Sequence, residues 1–440
     1  MRTTLDHLLA IAALPASAIS AKARRYAGYS LYDWLVCARA GTDEPVSAII
    51  GKYLASEGGT GVATVAGSKQ KFPARAAALA NGTISHALDY DDTHFAHIGH
   101  LSVGIYPAAL AVGEEVGISA ADVRDAFTLG AEAACRLGMV LGRVHYQCGF
   151  HQTATAGAFG ATIAAGRLYG LDPKQMRNAL SLVATRASGL KSQFGTMGKP
   201  MNAGIAASNG VEAAGLARLG LVSADDGVGG AQGFIETHSD GPDHITPWVD
   251  APPKSFVFED IKYKLHACCH GTHAMIEAIK MAQQKQPFEA NDIEKITVVT
   301  HPRWLKVCDI KQPRTGLEVK FSYVHLAAMV MKNIDTSADT TYTDALAGNA
   351  ELKALAKHVA IDTDESLNDT TARVTIALKS GETISTSHDL SATIADEALE
   401  QGLRTKATGL LGGETAERMW SAVVQIENTS ARDIGRLLAP

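Results

Sequence analysis

The chain has 440 residues, 46% of them apolar and 20% charged. That length exceeds one ordinary core, so two or three domains, or one large one with a cap, are expected. A net charge of -6 with no Lys/Arg-rich run excludes a nucleic-acid footprint, and no span approaches the ~20 uninterrupted apolar residues of a membrane helix.

The run Leu8 to Ala18 resembles a short signal-peptide core, but Asp6 and His7 precede it and Pro15 interrupts it. It reads as a structural first helix. Helical periodicity follows at Ala23–Ala40, Ala74–Leu88, Tyr106–Val116, Ala120–Leu141, Ala154–Tyr169, Pro173–Ser188 and Met201–Gly220. The Ala154 segment is so rich in Ala and Gly that close packing on all sides is expected. From Ser239 a Pro- and Asp-rich stretch reads as a linker. Beyond it come a helix at Thr272–Gln284, a strand at Ile296–Thr300 and a helix at Tyr323–Lys332. A hairpin follows at Ala372–Leu378 and Thr383–Ser387, and helices return at Asp396–Leu411 and Glu414–Ile426. The predicted fold class is mainly α. A large helical domain takes residues 1–258 and is completed by 395–440, and a smaller α+β domain takes 259–394.

Six cysteines at no framework spacing fit a reduced, cytoplasmic protein. Four clusters carry ionisable chemistry. The first runs from Asp89 through Asp91, Asp92, Thr93, His94 and His97 to His100. The second is Gly149–Thr153 with His151, and His145 and Tyr146 lie upstream. The third places Lys199 between Gly198 and Pro200 at the mouth of a helix, where a cation opposes the helix dipole unless it has a partner. The fourth is Lys262 to His273. The histidine triplets His94/His97/His100 and His266/His270/His273 have spacings that zinc accepts, but neither HExxH nor CxxC accompanies them. One acid of the first cluster could be a helix cap. No GxGxxG after a strand, Walker A loop or GxSxG elbow is present. What remains is proton-transfer groups beside carboxylate-binding cations.

The stretches ALDYDDTH (87–94), HLSVGIYPAALA (100–111), GFHQTATAGAFGA (149–161), GKPMNAGIAA (198–207) and VKFSY (319–323) occur in that order. As an ordered set the chain resembles the MmgE/PrpD family, which includes 2-methylcitrate dehydratase, cis-aconitate decarboxylase and iminodisuccinate epimerase. The resemblance implies a helical domain built from both chain ends, an α+β lid, a homodimer, and a site between the domains that needs no metal or organic cofactor. Matched motif by motif, it assigns catalytic roles to His100, His151, Lys199, Tyr146 and Asp89. Thr93, Lys264, His270 and Tyr323 become substrate-binding, with Lys262 an alternative to Lys264. The implied chemistry is removal of a proton next to a carboxylate of a small di- or tricarboxylate, or the reverse. His100 or His151 serves as base with its tautomer set by Asp89, and Tyr146 or Tyr323 returns a proton. Dehydration, decarboxylation and epimerisation all follow from that step. The chain's length and its His-rich loop, with Leu101 in place of the usual proline and His97 added, tilt the expectation toward an epimerase of an iminodisuccinate-like substrate.

Overall fold

The computed structural model describes residues 2–440. They divide into two compact units, residues 2–263 with 413–440, and residues 264–412. Helices dominate throughout and strands are few, so the mainly α class with a smaller α+β part holds.

The first unit opens with α1 (Thr4–Ala12), α2 (Ala21–Ala40) and α3 (Pro45–Glu57), then a two-residue hairpin of β1 (Ala63–Thr64) and β2 (Lys71–Phe72). It continues through α4 (Ala74–Ser85), α5 (Ser102–Val116), α6 (Ala120–Gln147), α7 (Gln152–Leu168), α8 (Pro173–Ala184), α9 (Gly198–Arg218) and a short α10 (Phe234–His238). Local signals explain many boundaries. Thr3 and Asp6 form a capping box at α1, and Asp172 and Gln175 do the same at α8 with Pro173 in its first turn. Gly142, at φ 67°, breaks α6 one residue after the predicted end at Leu141 and redirects the segment carrying His145 and Tyr146. The small-residue helix α7 is the centre of this unit. Every residue from Gln152 to Gly166 is buried, and α7 packs against α5, α6, α8 and α9.

Among the boundaries that differ from the sequence reading, three bear on the site, each for a physical reason. Helix α4 stops at Ser85 because the chain turns at His86 and then enters the left-handed region at Asp89 (φ 51°). Helix α5 starts at Ser102, four residues before the expected Tyr106. Its first N–H groups are capped from a distance, since Asp92 Oδ1 accepts from Leu101 (3.2 Å) and Ser102 (3.1 Å). Helix α9 starts at Gly198, so Lys199 lies within its first turn. The Pro-rich stretch after Ser239 is no free linker. The buried Arg136 side chain donates to the carbonyls of Pro247, Asp250 and Ser255, while its partner Glu132 accepts the Phe258 N–H at 2.8 Å.

The second unit holds α11 (His270–Lys285), β3 (Ile293–Thr300), α12 (Leu305–Cys308), α13 (Gly316–Val319), α14 (Tyr323–Met331), α15 (Asp344–Gly348) and α16 (Ala350–Ala356). Then come β4 (Val359–Thr363), β5 (Thr371–Leu378), β6 (Thr383–Asp389) and α17 (Asp396–Leu411). The sheet order is β4-β3-β5-β6. The β3–β4 pair is parallel and the other two are antiparallel. Ile296, Val298 and Thr300 alternate inward on β3, as do Ala372, Val374, Ile376 and Leu378 on β5, which is the period-two signature of a sheet with one packed face. Helix α11 covers β5 and β6. The chain ends in α18 (Gly413–Val424) and α19 (Ala431–Arg436), which belong to the first unit.

The contact between α4 and α9 positions the site. A Cβ on Gly82 would come within 2.7 Å of Gly204 Cα, and one on Gly204 would reach 2.3 Å from Leu79 O. Gly82 lies four residues before His86, and Gly204 lies five after Lys199, so this glycine pair sets the gap between the two chemical segments. Gly204→Ala should cost about 1–3 kcal/mol through overpacking, read as a lower denaturation midpoint with an unchanged m-value. An unshifted midpoint would contradict this close packing.

Candidate active site

Five ionisable side chains of the first unit meet around one carboxylate. Asp91 is wholly buried, and its two oxygens face two imidazoles: Oδ1 lies 2.8 Å from His86 Nδ1, and Oδ2 lies 2.7 Å from His100 Nδ1. The first contact is a hydrogen bond. The second is as short and is completed by a proton on His100 Nδ1. The His86 and His100 rings meet edge to face at 4.5 Å between centroids, and His151 stacks on the other side of His86 at 6.0 Å. Asp89 lies 3.6 Å from His100 Nε2 and forms a 2.5 Å ion pair with Lys199.

Each group is held by a different element. His86 caps the end of α4, and the turn after it puts Asp89 and Asp91 on the same side. Asp89 and Ile98, both at positive φ, bracket the loop, an uncommon conformation for Asp and a strained one for a β-branched residue. His100 enters from the loop's far end, where its N–H donates to Thr153 Oγ1 of α7 at 2.9 Å. That approach needs Gly99, whose added Cβ would fall 2.8 Å from Thr153 N. His151 precedes α7, and the Asn202 amide of α9 donates to its Nδ1 at 3.2 Å and to Leu190 O at 3.3 Å. Phe194 lies against the His151 ring (4.9 Å) and under the Lys199 ammonium (5.5 Å).

The electrostatics follow from burial and neighbours. Burial holds the His86 pKa down at about 4, against the pull of Asp91. His151 is also held well below its ordinary value, first by burial and then by His86, Lys199 and His100. Burial alone would raise Asp91, but the charges and hydrogen bonds of His100 and His86 outweigh it and hold this carboxyl well below the usual range. A carboxylate at Nδ1 fixes the proton of His100 there and leaves Nε2 bare. The Asn202 amide at His151 Nδ1 has the opposite effect, so His151 presents Nε2–H as a donor. The array therefore offers one bare imidazole nitrogen, one imidazole N–H and one ammonium.

The sequence-derived residues separate as follows. Asp89, His100, His151 and Lys199 come together. The residue at His100 Nδ1 is Asp91, where the expectation had Asp89. His86 and Asp91 carry no role in the sequence reading, although both lie within six residues of Asp89. Thr93 pairs through its backbone with Lys262 (2.7 and 2.8 Å) and forms the edge of the loop. Tyr146 is half-buried beyond the α6 break, with the Lys191 ammonium 3.7 Å from its ring centroid. Lys264, His270 and Tyr323 belong to the second unit. Lys264 and Tyr323 are buried there, and the Tyr323 hydroxyl donates to Gly271 O at 2.6 Å. Asp92 is the helix cap described above. His94 and His97 are buried structural groups: His94 Nε2 bonds Val257 O at 2.8 Å, and His97 Nδ1 bonds Ala134 O at 3.1 Å.

His86, Asp89, Asp91 and His100 could each offer one ligand atom to a metal within 4.8 Å of the others. Both histidines already face Asp91 through Nδ1, and the Lys199 ammonium sits on Asp89 where such a cation would need its charge. The second triplet is spent as well, since His266 bonds Glu277 and Thr336 through its two nitrogens.

The fold and this array define a class: a mainly helical protein with an α+β unit and a buried acid–base centre beside a lysine. The MmgE/PrpD N-terminal domain model matches residues 10–245, and the MmgE/PrpD C-terminal domain model matches residues 266–427. The chain belongs to the MmgE/PrpD family. It is 27% identical over 97% of its length to the cis-aconitate decarboxylase-like protein oryM of Aspergillus oryzae, covering 94% of that protein. It is 33% identical over 59% of its length to a cis-aconitate decarboxylase of Aspergillus terreus, covering 56% of it. The mouse cis-aconitate decarboxylase is 23% identical over 81% of the chain and 77% of its own length.

Neutral buried imidazoles tie stability to pH. His86 and His97 are depressed to about 4 and about 3 from 6.5, so in acid the unfolded chain binds protons that the folded one refuses. Their contribution is complete above pH 6.5 and is lost progressively as pH falls toward 4, on the order of 3 kcal/mol for His86 alone. Asp91 adds to the loss only below its unfolded value of 3.8. The melting temperature should fall steadily between pH 6.5 and 4.5; a flat profile would mean that these rings are charged in the folded state.

Proposed function

We propose that this protein is a lyase that works by proton transfer at the carbon next to a carboxylate of a small di- or tricarboxylate. The observation that carries the reading is the meeting of His100, His151 and Lys199 around Asp91 and Asp89. A module that only bound carboxylates would need the cation but no oriented base.

Lys199 grips a substrate carboxylate by a charge-assisted hydrogen bond, and the N-terminal turn of α9 adds its own attraction for the anion. In the free site Asp89 holds that position, so the incoming carboxylate exchanges with it. His100 Nε2 takes or delivers the proton at carbon, because Asp91 stabilises the imidazolium that forms. His151 Nε2–H donates to the oxygen on which enolate charge develops. Asp91 and His86 are positioning residues. Thr93, Tyr146, Lys264, His270 and Tyr323 enter by their match to the family's motifs, as substrate contacts and, for the tyrosines, as the proton return.

The same oriented proton carrier serves different outcomes, because His100 removes a proton from carbon in dehydration and epimerisation and delivers one in decarboxylation, where departing carbon dioxide leaves its bonding pair on the carbon that is protonated. Loss of carbon dioxide gives decarboxylation, loss of hydroxide from the β-carbon gives dehydration, and reprotonation on the opposite face gives epimerisation. The three relatives described above are named for decarboxylation, so the lyase outcomes take precedence over the epimerisation that the loop and length suggested. The Lys199 ammonium supplies the positive charge that a metal would otherwise bring, and the reaction is read as metal-independent.

Proton NMR in deuterium oxide with cis-aconitate, citrate, 2-methylcitrate and iminodisuccinate isomers separates the outcomes. New vinyl signals, undiminished after EDTA and lowered roughly 10²- to 10⁴-fold in His100→Ala, are expected. Deuterium entering next to a carboxylate with no new alkene would overturn the lyase reading in favour of an epimerase. Activity lost to EDTA would overturn the metal-free one.

A further inference from the structure

The second unit contains a group of thiols that the proton-transfer chemistry does not use. Cys268 and Cys269 are adjacent at the start of α11, and Cys308 ends α12. The folding of one short segment brings two of them together. The Cys269 N–H donates to Lys320 O at 3.0 Å, and the Ile310 N–H, two residues past Cys308, donates to Phe321 O at 3.3 Å. Both cysteine backbones are thus pinned to the same turn, and the Cys308 and Cys269 side chains hydrogen-bond to each other.

The three thiols are not equivalent. Cys308 is completely buried, and the neighbouring Cys269 thiol, followed by burial, pushes its pKa up. Cys268 faces the Thr272 hydroxyl at 3.2 Å, and burial raises its pKa to about 12. Cys269 is half-buried and sits at the N-cap of a 16-residue helix, whose dipole favours negative charge on sulfur. The positive charge of Lys264 also reaches this group of thiols.

We propose that Cys269 and Cys308 form a peroxide-sensitive dithiol that closes reversibly to a disulfide. Cys269 sulfur attacks the O–O bond of hydrogen peroxide. One oxygen stays on sulfur as a sulfenic acid, and the other leaves as hydroxide and becomes water with the thiol proton. Cys308 sulfur then attacks Cys269 sulfur: the S–S bond forms, the S–O bond breaks, and a second water leaves with the Cys308 proton. Two thiols lose two electrons and two protons, and the peroxide is reduced to two waters. An external dithiol reverses the step by exchange. The shared Lys320–Phe321 turn holds the two cysteine backbones as neighbours, which is the condition that a disulfide's short span imposes. The inference stands independently of the catalytic reading.

The test uses the full chain with Cys148→Ser, which removes the one exposed thiol and leaves five of six cysteines. After limiting hydrogen peroxide, thiol titration of the denatured protein should fall by two, and non-reducing peptide mapping should find Cys269 joined to Cys308. Dithiothreitol should restore both. Adding Cys308→Ser should leave Cys269 as a sulfenic acid that dimedone captures, with no disulfide. A full thiol count after peroxide, a Cys268–Cys269 linkage, or an unchanged two-thiol loss in Cys269→Ser would each overturn the proposal.

Discussion

A single buried carboxylate, Asp91, organises the candidate site. A charge in an apolar interior is stable only if every direction around it is answered, and here two imidazoles answer it, one on each oxygen. That arrangement fixes the proton on the near nitrogen of His100 and turns its far nitrogen toward Asp89 and Lys199. It also explains why His86 is present at all. Its ring fills the space between His100 and His151 while staying neutral, so it holds Asp91 without adding a second positive charge to the pocket. The chain's membership of the MmgE/PrpD family sets this centre in a known scaffold, and the roles proposed for its members follow from that proton arrangement.

The scaffold serves the same end by close packing rather than by polar contacts. Gly82 and Gly204 let α4 and α9 approach until backbone meets backbone, and Gly99 lets the His100 loop rest on Thr153. Each contact removes freedom from a segment that carries a charged or titratable group. Strain collects on the loop itself, at Asp89 and Ile98, where the chain reverses so that Asp89 and Asp91 face one pocket. A pocket that must hold proton donors and acceptors within a few tenths of an ångström needs rigid walls of this kind.

Much of this was legible in the sequence. The apolar periodicity placed nearly every long helix, and the small-residue run of α7 marked a helix surrounded on all sides. The ordered motifs named Asp89, His100, His151 and Lys199 before any coordinates. What stayed hidden was contact across distance. Asp92 caps a helix that begins ten residues later, and Arg136 fastens a segment more than a hundred residues away, so neither has a local signature. Asp91 was visible as a charge but not as the residue at His100 Nδ1, because Asp89, Asp91 and Asp92 differ only in where a left-handed turn points them. His86 reads as one more residue of the helix expected over Ala74–Leu88, and only the turn at this position reveals its ring beside two others. The strand β4 was missed because Val359–Thr363 is short and pairs in parallel with a partner about sixty residues earlier.

The most direct test of the central claim is nitrogen-15 NMR of the imidazoles in protein labelled at histidine, without substrate, at pH 7. The account predicts a His100 signal protonated at Nδ1 and bare at Nε2, a neutral His151 protonated at Nε2, and a neutral His86, with the His100 pattern lost in Asp91→Asn. A His100 ring protonated at Nε2 and bare at Nδ1, or a His151 ring carrying both protons, would contradict it.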